Sequence, residues 1–169
     1  MPLVYLSIGS NEGEPRRNVE VAIELIGSRG GMVIAGQGGV YETEPQGKRD
    51  QAWFVNTAAK LETNEPPEAL LRLIKSVEEQ MGRVTTPARG STPKWGPRVI
   101  DIDIVFYNSD IVNTEKLSIP HPRAHERRFV LRPIADIDPG FIHPVIGKSV
   151  FAILADIPAE GQEMRRIDL

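Results

Sequence analysis

Between Val4 and Tyr107 the sequence alternates short β-rich runs with amphipathic helical stretches in the order strand, helix, strand, strand, helix, strand. Few folds accommodate that order. Val4-Tyr5-Leu6-Ser7-Ile8 forms the first run and stops at Gly9-Ser10-Asn11. Pro15 suits the first turn of a helix whose Val19, Ala22, Ile23 and Ile26 repeat at helical spacing until Gly30-Gly31. Residues 32–44 and 53–63 read as two strands, the first interrupted near Gly38-Gly39 by a bulge. A loop over residues 45–50 separates them. The second helix is expected from Pro66-Pro67 to Met81, with Leu71, Ile74, Glu78 and Met81 on one stripe and Gly82 as its stop. Residues 98–107 return to strand. The pattern predicts an α+β fold with a split βαβ core, a four-stranded antiparallel sheet covered by two helices.

Beyond that core, Asn108-Ser109-Asp110 reads as a turn from which Ile111-Val112 pairs back. A short helix from about Glu126 carries Phe129 and is limited by Pro133, and one more helix lies near residues 150–154. This C-terminal third is expected to decorate the core. With 169 residues and 40% hydrophobic content, the chain fits one domain over residues 1–169. A net charge of −3 supplies no broad basic field, which disfavours nucleic acid as a partner. The absence of cysteine excludes disulfides, thiolate zinc sites and a cysteine nucleophile, and agrees with a cytoplasmic setting. No signal-like start and no run of ~20 apolar residues is present, so no membrane association is expected. A monomer is the default expectation.

Asp101-Ile102-Asp103-Ile104 is the most informative segment. Residues two apart on a strand share a face about 7 Å apart, so both carboxylates point one way while Ile100, Ile102, Ile104 and Phe106 form the buried face. Two like charges side by side call for a cation or basic groups. Hard carboxylate oxygens, joined by substrate phosphates, suit magnesium rather than zinc. The bare spacing reads equally as the solvated side of an edge strand. Lys94-Trp95-Gly96-Pro97-Arg98 just before the pair, and Gly82-Arg83 before the Thr-, Pro- and Gly-rich stretch of residues 85–94, bring cations near it. Arg83 and Arg98 can grip phosphate oxygens in bidentate fashion. Trp95 either closes over a nucleotide or anchors its loop.

Glu78 on an apolar stripe needs a partner, either a core-edge arginine or a ligand-site role. Residues 121–128 gather two histidines and three arginines, which reads as an anion-facing cluster or as a surface charge run. His143 reads as structural. Phe54 and Asn56 share a strand face and can stack on and hydrogen-bond to a flat heterocycle, although ordinary core packing uses the same residues. No Walker loop is present.

Gly9-Ser10-Asn11, residues 41–45, Phe54-Val55-Asn56, Gly82-Arg83, Trp95-Gly96-Pro97-Arg98, Asp101-Ile102-Asp103 and Pro120-His121-Pro122-Arg123 occur in one order. Together they resemble hydroxymethyl-dihydropterin pyrophosphokinase, over residues 3–144. The resemblance implies a ferredoxin-like core and transfer of diphosphate from ATP to a reduced pterin, releasing AMP, in folate synthesis. It implies two Mg²⁺ ions held by Asp101 and Asp103, with Arg83 and Arg98 on the phosphates. Glu78, Trp95, Ile104, Lys116, Ser118, His121 and Arg127 would surround the ATP. Phe54 and Phe129 would sandwich the pterin, whose edge Asn56 and the backbone near Thr43 and Pro45 would read. Thr85 and Pro122 depart from the pattern, at positions where relatives carry a basic and an aromatic residue. Two other classes stay open on the residues alone: an RNA-binding module of the same fold, and a metal-dependent nuclease using the same acids.

Overall fold

The computed structural model describes residues 1–82 and 99–168. The loop expected at residues 85–94 lies outside them. The chain begins with β1 (Leu3–Ser10), α1 (Pro15–Gly27), β2 (Met32–Gln37), β3 (Tyr41–Thr43), β4 (Phe54–Thr63) and α2 (Pro67–Gln80). After the undescribed stretch come β5 (Asp101–Tyr107), β6 (Val112–Asn113), β7 (Ser118–Ile119), a 3-10 turn (Ala124–Glu126), α3 (Arg128–Ile137), α4 (Val150–Asp156) and β8 (Met164–Arg166).

One antiparallel sheet runs β5-β1-β4-β3-β8, with β2 also paired to β4. Six strands, rather than the expected four, therefore make up the described sheet. Part of the difference is the interrupted strand. β2 lies opposite residues 59–63 of β4 and β3 opposite residues 54–56, so the two occupy successive stretches of one edge. Between them a Cβ on Gly38 would stand 2.3 Å from the Pro133 carbonyl oxygen, so α3 passes too close for any other residue. The rest of the difference is β8, which extends the sheet beyond β3. Three residues, two of them arginine, carry no strand period in the sequence.

Each face of the sheet has its own core. Val4, Leu6 and Ile8 of β1 and Ile102 and Ile104 of β5 pack against Val19, Ala22, Ile23 and Ile26 of α1 and Leu70, Ile74 and Val77 of α2. On α2 the stripe is centred one residue away from the expected one: Leu70 and Val77 are buried, Leu71 and Met81 only in part. The opposite face carries Tyr5, Ala58, Val105 and Phe106 under Val130, Leu131 and Ile134 of α3 and Val150 and Ile153 of α4.

Phe106 is thus not on the face of Ile102 and Ile104, contrary to the simple alternation. The register pairs Leu6 with Ile104 but Tyr5 with Phe106, leaving Val105 as an extra residue in a bulge. One inserted residue turns every later side chain to the other face. Pro133 likewise does not end its helix but lies inside it. An interior proline costs about 3 kcal/mol. Val130, Leu131 and Ile134, each worth about 1.5–3 kcal/mol when fully buried, outweigh it.

Candidate active site

On the face under α3 and α4 the apolar core gathers Tyr5, Ala58, Val105 and Phe106 at one end of the strands. At the other end, β1 offers Ser7 and Gly9, paired with Asp103 and Asp101 on β5 and with Ala58 and Asn56 on β4. Tyr41 and Thr43 of β3 lie opposite Asn56 and Phe54. Paired residues share a face, so Thr43, Phe54, Asn56, Asp101 and Asp103 stand on one continuous surface. This is the acid pair expected from the sequence, now placed beside the Phe54-Asn56 group.

Gly9 holds that surface together. A Cβ there would lie 2.3 Å from the Asn56 Oδ1, so only glycine lets the amide rest over β1. The Asn56 Nδ2 donates to the Thr43 Oγ1 at 2.6 Å, and both side chains are buried. The strand pair thereby fixes the direction of a buried amide. Gly9 was read from the sequence only as a strand stop; its close approach depends on a partner 47 positions away, which no local pattern reveals.

The outer edge of β5 is occupied from both sides. The Glu78 Oε2 accepts the Ile102 N–H at 2.9 Å, and the His121 N–H donates to the Val105 carbonyl at 3.0 Å. Glu78 is 3% exposed, and its carboxylate caps the edge strand at the Ile102 N–H. Between α2, β5 and the segment of residues 114–122 lies a cavity of about 340 Å³. Glu78, Asp101, Asp103, Ile104, Lys116, Ser118 and His121 all line it. So do Leu71, Ile74, Lys75, Thr114, Glu115 and Pro122. Of these, Lys75 is the cation that went unnoticed; its position one helical turn before Glu78 was the available signal.

Arg127 stands at the junction of the 3-10 turn and α3, with its guanidinium 5.6 Å from the centroid of the Phe129 ring. Burial and the neighbouring Arg123 pull its pKa below the ordinary value, opposed by the charges of Asp103, Asp101 and Glu126. Burial likewise pushes His121 down to about 4, assisted by Arg127 and opposed by Asp101. A neutral imidazole and a permanent guanidinium therefore face the acid pair. Pro45 is buried just beyond β3. Phe129 packs against the second core, and among the described residues no ring contact joins it to Phe54. Arg83, Trp95 and Arg98 lie outside the described residues.

The donor set limits what ion fits. Among the described residues no group of three His, Cys, Asp or Glu is placed to hold a metal. Two hard carboxylates alone suit a cation that takes its remaining ligands from water and from a substrate's phosphates, as magnesium does. Fold and site together define an α+β protein with an acidic, cation-flanked cleft along the β5 edge of the sheet, the arrangement suited to handling a polyphosphate.

The chain belongs to the 7,8-dihydro-6-hydroxymethylpterin-pyrophosphokinase family, whose model matches residues 5–139. It is 36% identical to the 2-amino-4-hydroxy-6-hydroxymethyldihydropteridine pyrophosphokinase of Methylorubrum extorquens, over 96% of this chain and 98% of the relative. It is 40% identical to the folic acid synthesis protein FOL1 of Dictyostelium discoideum, over 94% of this chain and 23% of that protein. The chain spans about a fifth of the length of that relative and of two similar fungal ones. Among solved structures, the Plasmodium falciparum HPPK-DHPS A437G variant superposes with a TM-score of 0.70 at 16% identity, over 91% of this chain and 45% of that one. That likeness concerns the fold. No helix among the described residues is long and apolar enough to cross a membrane.

Proposed function

We propose that this chain transfers diphosphate from ATP to the hydroxymethyl oxygen of 6-hydroxymethyl-7,8-dihydropterin, releasing AMP, as a step in folate synthesis. The observation that carries the reading is the placing of Asp101 and Asp103 on one face of β5, where they line one cavity that also gathers Glu78, Ile104, Lys116, Ser118 and His121. Five of the seven residues expected around ATP thus line a single cavity with the acid pair. Residues 1–169 act as one domain with a ferredoxin-like core. The β5-β1-β4 order, with β2 and β3 sharing one β4 edge, supports that core. A monomer in the cytoplasm completes the reading.

Asp101 and Asp103 hold two Mg²⁺ ions, which when bound neutralise the polyphosphate and draw charge from the reacting phosphorus. Arg127 adds a fixed positive charge on the same side, and Arg83 and Arg98 meet the phosphates. Ile104 gives the nucleotide an apolar wall, with Lys116, Ser118 and His121 as polar contacts and Trp95 beside them. Phe54 and Phe129 stack on the pterin from two elements, while Asn56, fixed by Thr43, reads its edge together with the backbone at Pro45. The substrate oxygen then attacks the β-phosphorus in line, the bond to the bridging oxygen breaks, and AMP departs. Positioning supplies most of the acceleration.

The test is AMP release from ATP and magnesium with and without the reduced pterin. AMP should form only with pterin, and Asp103→Ala should lower kcat by at least about 10²–10³-fold, the usual scale for losing transition-state charge stabilisation. Its circular dichroism should stay unchanged. AMP formed equally without pterin points to a hydrolase instead, and an Asp103→Ala variant with full turnover ends the reading.

A further inference from the structure

The family model ends at residue 139, yet the last residues of the chain reach back to the site. Helix α3 starts at Arg128, and its N-cap, Arg127, contributes no side-chain cap. The cap comes instead from Gln162, 34 positions later: its Oε1 accepts the Arg128 N–H at 2.9 Å. Its Nε2 donates to the Glu126 carbonyl at 3.1 Å, and its own carbonyl accepts the Arg128 Nη1 at 2.7 Å. One glutamine thus grips the backbone on both sides of Arg127, one residue before Phe129.

The same stretch holds the opposite wall. The Gln46 Nε2 donates to the Gly161 carbonyl at 2.9 Å. Backbone bonds tie residues 44 and 163 together, with the Glu163 N–H also reaching the Glu44 Oε2 at 3.1 Å. Residues 161–163 therefore bridge the loop after Thr43 and the start of α3.

We propose that Gln162 is a positioning residue for the pterin: by capping α3 from outside, it fixes Phe129 at the distance from Thr43 and Phe54 that a flat ring needs. This rests on the functional reading above, in which those residues face the pterin. The effect of Gln162 reaches the reaction through the junction it holds, so it bears on pterin binding more than on the nucleotide cavity, which neither Gln162 nor Arg127 lines.

The test uses the full chain with Gln162→Met, which keeps the length and removes both side-chain bonds, and Gln162→Glu, which keeps an oxygen for the Arg128 N–H. In steady-state assays Gln162→Met should raise the pterin KM about fivefold, the factor equivalent to the ~1 kcal/mol usual for a helix cap. Its ATP KM and kcat should stay within about twofold, as expected for lost ground-state binding alone. Hydrogen exchange at the Arg128 amide should quicken in Gln162→Met and stay close to wild type in Gln162→Glu. The Glu variant's pterin KM should rise only about threefold, through the lost donor to the Glu126 carbonyl. If Gln162→Met does not fold, that threefold rise decides the matter alone. Wild type that releases no AMP with pterin sinks the functional reading. Wild type that turns over while the variants keep its pterin KM sinks this inference alone, and so does an equal change in both KM values.

Discussion

Gly9 shows how one missing methyl group can shape a site. Replacing its hydrogen by a Cβ would drive that atom to 2.3 Å from the Asn56 Oδ1, and Asn56 is held by the Thr43 hydroxyl. The amide must then swing away. Gly9→Ala should therefore cost roughly 1–3 kcal/mol, as overpacking does. It should also raise the pterin KM more than the ATP KM, read by denaturant unfolding and steady-state kinetics. His143 makes a different kind of prediction. Its Nδ1 accepts the Val145 and Ile146 N–H groups, its ring meets Phe106 edge-on, and burial followed by the charge of His125 holds its pKa below 6.5. The unfolded chain therefore takes up a proton near pH 6.5 that the folded chain refuses. Stability from this residue is complete above that pH and is lost as pH falls through the lower folded value. The unfolding midpoint should drop between pH 7 and pH 5 by more in wild type than in His143→Asn, whose amide oxygen can accept the same two bonds without titrating.

Strand β5 carries most of the chemistry, and it was largely legible in the sequence. The alternation of Asp101, Ile102, Asp103 and Ile104 reports its own two faces because period 2 is a local property. The bulge at Val105 was not legible, since the extra residue is defined by β1, a strand distant in sequence. For the same reason β8 was missed: its only justification is the free edge of β3. Helix α3 was cut short on paper because Pro133 reads as a local stop, whereas burial under the helix decides the matter. Among site residues, the shared face of the acid pair was readable from spacing, but the grouping of Glu78 with Lys116 and His121 exists only once α2 and the segment of residues 114–122 flank β5. Glu78 belongs to this scale, since its carboxylate completes the strand edge at the Ile102 N–H. Glu78→Ala should destabilise the protein by roughly 1–3 kcal/mol, the cost of a buried donor losing its acceptor. Glu78→Gln, which retains an oxygen, should recover most of that in urea melts. Equal melts for the two variants would rule the capping role out.

At the level of the whole molecule, the sheet has one face packed on α1 and α2 and another packed on α3 and α4. The apolar end beneath α3 and α4 includes Tyr5, whose hydroxyl meets Asp138, itself paired with Lys60 at 2.7 Å. Beyond that end the same face turns small and polar, with Ser7, Gly9 and Asn56 buried and the two acids half-buried. On the proposed function, the cavity those acids line is filled by molecules the cell supplies. Nucleotide and pterin would then be building material as well as reactants, and heat resistance should depend on their concentrations. A nonhydrolysable ATP analogue with magnesium at a hundred times its Kd should add about 2.7 kcal/mol by mass action. Joint addition of a pterin should raise Tm further, and calorimetry at graded concentrations reads both. On the proposed function, a cell short of the reduced pterin would hold the protein in a more easily unfolded state.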